Sequence, residues 1–343
     1  MSMPTTVLVL MGGRSSEHEV SLSSARGVMA ALDPGRFSIV PVVIAPSGVW
    51  THNGRPVALS ASGGPAQLVD LEGGDAMAID VVFPVLHGPF GEDGTIQGLC
   101  EMIGVPYVGA GVAASAIAMD KALFKLIARH HGLPVADAVV VTPTSWERDG
   151  AALRAAADAL GYPVFVKPAR LGSSVGISRV AAADDLDDAV ALALMFDAKV
   201  LIEQAITGKE IEVGILDDGE PIVSPPGQIR YAADWYDYAT KYEAGRAELE
   251  IPAVLPEDVT RRLQEVARIA FDCVGCEGMG RIDCFVTPAG EVIVSELNTI
   301  PGFTPTSAYP SLMAAAGVPF DELVGHLVHA AIARAERERV LRR

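Results

Sequence analysis

The chain has few cysteines, four in 343 residues, which excludes the disulfide framework of a small secreted domain. Cationic side chains are scarce too: 26 Lys and Arg against 43 Asp and Glu give a formal charge of −17. Phosphate backbones are bound through an excess of Lys and Arg, so no nucleic-acid partner is expected. No apolar run is long enough to span a bilayer, since stretches such as 38–50 and 110–119 are broken by Pro or Gly. The start lacks the basic segment, apolar core and cleavage site of a leader; Met3-Pro-Thr-Thr6 runs directly into a strand. Two phosphate-binding signatures are missing as well, the dinucleotide pattern G-x-G-x-x-G and the P-loop pattern G-x4-G-K-[ST]. Together these absences point to a cytoplasmic protein of neither nucleotide-binding class.

Half of the residues are hydrophobic and a fifth are charged, the balance of a well-packed chain, and the length calls for two or three domains. Thr6–Met11 is a short, wholly apolar run of the kind that makes a buried parallel strand. Gly12-Gly13 ends it, residues from Ser15 open a helix reaching Leu32, and Phe37–Ala45 is the next strand, a βαβ beginning. Glu17-His18-Glu19 at the strand-to-helix turn is unusual, although a glutamate there also serves as a cap or dipole partner. Residues 51–75, rich in Gly, Ser and Pro, read as loop. Ala78–Leu86 is another buried strand. His87-Gly-Pro-Phe-Gly-Glu-Asp-Gly94 lies at its carboxyl end, where open α/β sheets bind ligands.

Asp120 is placed to cap a helix that carries Lys121 and Lys125 one turn apart. Pro163–Pro168 is a strand with Lys167 near its end, followed by a Gly/Ser loop at 169–178. Successive N–H groups in such a loop cradle phosphates, and a lysine beside it adds a point charge. Glu203 lies in a strand at 199–206; the amides after it suit an adenine, and its carboxylate suits ribose hydroxyls. The polar-aromatic stretch 234–242 reads as either a disordered loop or an active-site lid, and its aromatic density favours the lid.

The densest chemistry lies further on. Residues 281–286 and 291–298 read as two strands joined by a turn at Pro288-Ala-Gly290. Side chains two apart share a face. Arg281 and Asp283 therefore point one way, and Glu296 and Asn298 are expected in line with Val292 and Val294. Paired, these strands gather two carboxylates, an amide and a guanidinium at one sheet end, hard oxygen donors suited to Mg2+ completed by phosphate oxygens. The plainer reading is an Arg–Asp surface pair beside an acidic strand end. Cys273 and Cys276 have C-x2-C spacing, but no second pair or His follows at finger spacing, so buried free thiols are expected.

Taken in order, seven segments resemble the D-alanine–D-alanine ligase family of the ATP-grasp superfamily, over essentially the whole length. They are Gly12-Gly-Arg-Ser-Ser-Glu-His-Glu-Val-Ser21, the stretch from His87 to Gly98, Met119-Asp-Lys121, the stretch from Lys167 to Gly176, Lys241-Tyr242, Gly280-Arg-Ile-Asp283 and Glu296-Leu-Asn-Thr-Ile-Pro-Gly302. The resemblance implies an α/β fold of ATP-grasp type. An N-terminal Rossmann-like domain with a parallel sheet (1–118) takes the first substrate. A central ATP-grasp subdomain (119–207) and a C-terminal ATP-grasp domain (208–343), both α+β, clamp the nucleotide; the second also carries the Mg2+ and second-substrate sites.

The implied reaction is ATP-dependent joining of two D-alanines through a D-alanyl phosphate, for peptidoglycan synthesis, by a cytoplasmic homodimer without nucleic-acid or membrane partners. ATP is the co-substrate and two Mg2+ ions assist, with Mn2+ as an alternative metal and a monovalent cation left open. By position, the family's ATP contacts fall on Lys121, Lys167, Ser173, Ser174, Glu203, Ala205, Ile206, Glu210 and Lys241. Its metal ligands fall on Asp283, Glu296 and Asn298. Glu19 takes the place of the carboxylate that holds the first ammonium, with His87 near the same substrate. Arg281 and the Gly302 backbone face the oxyanion, Ser307 the second D-alanine, and Tyr242 is the lid tyrosine closing through Ser173 to Glu19.

The sequence departs from the family pattern at Ala308, where a larger Leu or Met is usual, which re-shapes the second-substrate wall. Other readings are a D-alanine–D-lactate or D-alanine–D-serine ligase and a non-catalytic ATP-binding protein. Tyr242, replaced in the depsipeptide-forming relatives, favours the dipeptide, and a non-catalytic relative would be expected to lack a metal ligand or Arg281.

Overall fold

The first apolar run forms β1 (Thr5–Gly12), in which Val7 to Leu10 are fully buried. After α1 (His18–Ala31) comes β2 (Phe37–Ile44), paired with β1 in parallel. The computed structural model describes residues 3–61, 64–231 and 247–341.

The stretch expected as loop folds differently. β3 (Trp50–His52), β4 (Arg55–Ser60) and β5 (Gln67–Asp70) run antiparallel and, with β6 (Met77–Ala78), widen the sheet. These are flank strands with few inward apolar residues, chiefly Val57 and Leu68, so they lack the alternation that announces a strand. β7 (Val81–Pro84) pairs with the other side of β1, giving the order β6-β5-β4-β3-β2-β1-β7.

α2 (Thr95–Ile103), α3 (Val112–Met119) and α4 (Lys121–His130) lead out of this sheet. Asp120 caps α4, its Oδ1 accepting from the N–H groups of Ala122 and Leu123 at 3.1 and 3.2 Å. A second sheet follows, built from β8 (Ala138–Val141), β9 (Val164–Pro168), β10 (Ser178–Val180) and β11 (Val200–Gln204), all antiparallel, with α5 (Pro143–Leu160) and α6 (Leu186–Leu194) covering it.

The third sheet contains β12 (Lys209–Asp217), β13 (Ile222–Val223), β14 (Gly227–Tyr231), β15 (Ala247–Glu250), β16 (Gly278–Val286) and β17 (Val292–Asn298). α7 (Glu257–Asp272) packs on it through Val259, Leu263, Val266, Ala267 and Ala270, the inward stripe of an amphipathic helix. α8 (Ala308–Ala315) and α9 (Phe320–Leu341) then return to the first sheet. Leu323, Leu327 and Val328 of α9 share one core with Val7, Val9, Val81 and Phe83. This is the expected α/β architecture, one parallel-centred sheet and two antiparallel sheets. No helix among the described residues is long and apolar enough to cross a membrane. The four cysteines are free thiols, three of them buried.

Candidate active site

β16 and β17 pair antiparallel, with Arg281 opposite Asn298 and Asp283 opposite Glu296. A bulge makes this possible. Cys284 pairs with Val294 but Asp283 with Glu296, so Ser295 is an extra residue on β17. Sequence alternation alone put Glu296 and Asn298 in line with Val292 and Val294. Instead the burial phase shifts: Val292 and Val294 are buried, then Leu297, while Glu296 and Asn298 turn to the face of Arg281 and Asp283.

On that face Arg281 donates Nε and Nη2 to the two oxygens of Asp283, both at 2.7 Å, and Nε lies 3.2 Å from Glu212 Oε1. Asn298 Nδ2 donates to Asp283 Oδ2 at 3.0 Å. Lys121 Nζ reaches Glu296 Oε2 at 3.1 Å and donates to the Leu171 carbonyl at 2.8 Å. Burial works against both cations. The carboxylates outweigh it, Asp283 and Glu212 for Arg281 and Glu296 for Lys121, and hold each above its ordinary pKa.

One turn further along α4, Lys125 Nζ lies 2.7 Å from Glu203 Oε2, and Lys167 Nζ lies 2.5 Å from Glu203 Oε1. Glu203 is only 6% exposed. Burial would push its carboxyl up, yet the two ammoniums hold it below its usual range. Lys125 is drawn down, first by burial, with Glu203 opposing and Lys167 adding to the fall. Both Glu203 oxygens thus face lysines. Glu210, the second residue of β12, lies opposite Phe285. The Ala205 N–H donates to Pro163 O at 3.4 Å, and Ile206 follows it in the loop.

The Gly/Ser loop sits between these clusters and α1. Ser173 and Ser174 have φ of +52° and +57°, a left-handed pair that non-glycine residues adopt at a cost of order 1 kcal/mol each. The Ser173 hydroxyl donates to Glu17 Oε1. Here the structure departs from the sequence expectation: Glu17, not Glu19, is the glutamate that meets Ser173. Glu19 lies in the first turn of α1 and is exposed. The helical period explains the choice, since the buried face of α1 is Ser21, Ser24, Ala25 and Val28. Steps of three and four residues back from it reach Glu17 and miss Glu19. That spacing was readable in the sequence. Glu17 makes no side-chain cap bond. It lies against Gly88 (φ +74°), where a Cβ would come within 2.8 Å of its Oε2.

His87 is buried and both ring nitrogens are engaged, Nδ1 at 2.9 Å from Ile300 O and Nε2 at 3.0 Å from Ser24 Oγ. Burial draws it below its ordinary pKa. Ser307 precedes α8; its Oγ accepts from the Thr304 N–H at 3.1 Å and lies 3.2 Å from where a Cβ on Gly302 would stand. Lys241 and Tyr242 lie outside the described residues. The sequence reading missed Glu17, Glu92 and Glu212 as members of the site. Glu92 stands in the quoted His87–Gly98 segment, but its partner Ile300 is 208 residues away.

A divalent metal belongs to the chemistry that the resemblance implies, and the donors fit one. Asp283, Glu296 and Asn298 offer only oxygen, or oxygen beside an amide, on one strand face. Among the described residues no group of three or more His, Cys, Asp and Glu side chains forms a cage. Mg2+ is commonly held by one or two carboxylates with substrate phosphates completing its shell.

An ammonium cluster at the edge of the second sheet faces a carboxylate cluster on the third, α4 reaches both, and the Gly/Ser loop lies beside them. Fold and site together define an enzyme of the ATP-grasp class. Family models described as D-ala D-ala ligase N-terminus and D-ala D-ala ligase C-terminus match residues 6–110 and 127–329, and the chain belongs to the D-alanine–D-alanine ligase family. It is 45% identical to a D-alanine–D-alanine ligase of Paenarthrobacter aurescens (strain TC1), over 96% of this chain and 95% of that protein. It is 46% identical to that of Deinococcus radiodurans, over 96% and 99%. Among solved structures it resembles the D-alanine-D-alanine ligase from Coxiella burnetii, with a TM-score of 0.86 and 33% identity covering 99% and 97%. It is equally close, at 0.86 and 34% over 96% and 100%, to the VanG D-Ala:D-Ser ligase from Enterococcus faecalis.

Proposed function

We propose that the chain joins two D-alanines to D-alanyl-D-alanine, with ATP converted to ADP and phosphate, in the service of peptidoglycan synthesis. The observation that carries the reading is the convergence of Glu17 and Ser173 with the Arg281–Asp283–Asn298 face and the Lys125–Glu203–Lys167 cluster. A carboxylate oxygen of the first D-alanine attacks the γ-phosphorus and ADP leaves. The amine of the second attacks the carbonyl carbon of that acyl phosphate, and phosphate leaves from the tetrahedral intermediate.

Lys121, Lys167 and the 171–176 loop hold the nucleotide phosphates, with Glu203, Ala205, Ile206, Glu210 and Lys241 lining the rest of the nucleotide site. Glu17 takes the first ammonium, in place of Glu19. Arg281 and the Gly302 N–H meet the oxyanion, where preorganised donors are worth most. Ser307 holds the second D-alanine. Asp283, Glu296 and Asn298 would bind Mg2+, which when present neutralises phosphoryl charge. The lid role that the resemblance gives to Tyr242, which lies outside the described residues, would keep the acyl phosphate from water. The three-domain division, homodimeric assembly and a cytoplasmic location rest on the resemblance.

A second reading differs at the second substrate. The likeness to a protein named a D-Ala:D-Ser ligase, together with the small Ala308 at the start of α8, favours testing D-serine alongside D-alanine. The deciding experiment is ADP release with Mg-ATP and D-alanine, L-alanine, D-alanine plus D-serine, or D-alanine plus D-lactate, with products identified by mass. D-alanyl-D-alanine from D-alanine alone, with little ester from D-lactate at neutral pH, is expected. Turnover only with a mixed pair would overturn the dipeptide assignment.

A further inference from the structure

A hydrogen-bond chain that no catalytic step uses runs beneath the site, from the region of the first sheet to the loop after β17. The Phe303 N–H donates to Ser24 Oγ at 3.2 Å, and Ser24 Oγ lies 3.0 Å from His87 Nε2. His87 Nδ1 lies 2.9 Å from Ile300 O, and the Ile300 N–H donates to Glu92 Oε1 at 3.1 Å. The other Glu92 oxygen accepts from the Gly88 N–H at 2.8 Å.

The direction of every bond can be assigned. A carbonyl only accepts, so Nδ1 carries the proton and Nε2 accepts from the Ser24 hydroxyl. That hydroxyl in turn accepts from Phe303. The chain is self-consistent for a neutral His87, the form that burial favours.

Its targets are informative. The chain takes both backbone polar groups of Ile300 and the N–H of Phe303. The Ile300 and Phe303 side chains are themselves 2% and 1% exposed in the core shared with the first sheet. Between them stand Pro301, which has no N–H, and Gly302. The one N–H of the span that the chain leaves out is that of Gly302.

We propose that Ser24, His87 and Glu92 are positioning residues: they clamp the Ile300–Phe303 backbone from both ends and so aim the Gly302 N–H at the reacting carbonyl. They also make the first-substrate region responsible for an oxyanion donor carried by the C-terminal region. The inference rests on the oxyanion role given above to Gly302. A displacement of about an ångström in such a donor costs on the order of a hundredfold in rate.

The test is steady-state kinetics of Ser24→Ala, Glu92→Ala and Glu92→Gln, with nucleotide binding by calorimetry and a melting curve for each. The expected result is a fall in kcat of about tenfold to a hundredfold in both alanine variants. KM for ATP, KM for D-alanine and nucleotide affinity should stay within about threefold. Glu92→Gln, whose amide oxygen still accepts one N–H, should recover part of the loss. Unchanged kcat in both alanine variants would overturn the proposal, as would a loss of nucleotide affinity as large as the loss of kcat. Should Ser24→Ala fail to fold, Ser24→Cys decides on the same criteria; should Glu92→Ala fail to fold, the Ser24 variant decides alone, and its unchanged kcat overturns the proposal. Arg281→Lys, run alongside, tests the reading beneath. If it leaves kcat intact, the oxyanion assignment fails; if it alone lowers kcat, only the clamp fails.

Discussion

Two charged clusters face one another across the site, and they are unbalanced in opposite senses. At the second sheet two ammoniums, Lys125 from α4 and Lys167 from β9, flank one carboxylate, Glu203. On the third sheet three carboxylates, Asp283, Glu212 and Glu296, meet two cations, Arg281 and Lys121. Each cluster contains enough opposite charge to be buried without ruin, and each leaves a surplus of one sign. The cationic surplus suits phosphate oxygens, the anionic surplus a divalent metal. A metal–nucleotide complex carries both complements and would satisfy the two clusters together. α4 joins them mechanically, since Lys121 and Lys125 stand one turn apart and reach opposite clusters.

The contrast can be broken most severely on its anionic side. Asp283→Asn should lower kcat on the order of a thousandfold, read as ADP release, because it weakens a metal ligand and an Arg281 partner together; a loss under tenfold would remove Asp283 from the metal site. On the cationic side the larger effect should be on stability. Glu203→Gln leaves two buried ammoniums facing one another and should cost about 3–5 kcal/mol in denaturant titration. Lys167→Met, which leaves a single neutralised pair, should instead cost little stability and raise the ATP KM about tenfold.

Glu92, between the clusters, should give a smaller, pH-dependent signal. Burial, and then the negative charge of Glu17, raise its pKa from 4.5 to about 8, against the Gly88 and Ile300 N–H groups and Arg281. The folded state therefore binds more protons than the unfolded one between those values. The contribution of Glu92 to stability is complete below pH 4.5 and is lost as pH rises through about 8. Unfolding midpoints from pH 5 to 8.5 should fall more steeply in the natural protein than in Glu92→Gln; parallel curves would contradict this. The weakest effect should be at Glu19. Its change to Gln is expected to stay within about twofold in every constant, as for an exposed residue away from special contacts, whereas Glu17→Gln should raise the D-alanine KM at least tenfold on the scale of a lost charge-assisted bond. Equal effects at the two positions would restore the Glu19 assignment.

What the sequence showed follows the range of the forces involved. The Asp120 cap and the pairing of β16 with β17 depend on residues a few positions apart, and they are written there as a cap, a turn and alternation. The Ser295 bulge was hidden, because one added residue reverses the face of everything after it while leaving composition untouched. Glu17 was legible in the period of α1 but was set aside by position in a motif. Glu92 and the Glu203 pairings were not legible, since their partners are remote in the chain and only the packed sheets bring them together.

The last helix has a consequence for how the molecule comes into being. β1 is made well before α9, yet one face of its sheet is covered by Leu323, Leu327 and Val328 of α9, and Arg334 donates to the Gly109 and Tyr107 carbonyls at 2.6 and 2.8 Å. Until α9 emerges, that apolar face is only partly covered, by Ala25 and Val28 of α1. The first sheet is thus finished only once α9 has been made, and until then its open face depends on protection from other chains.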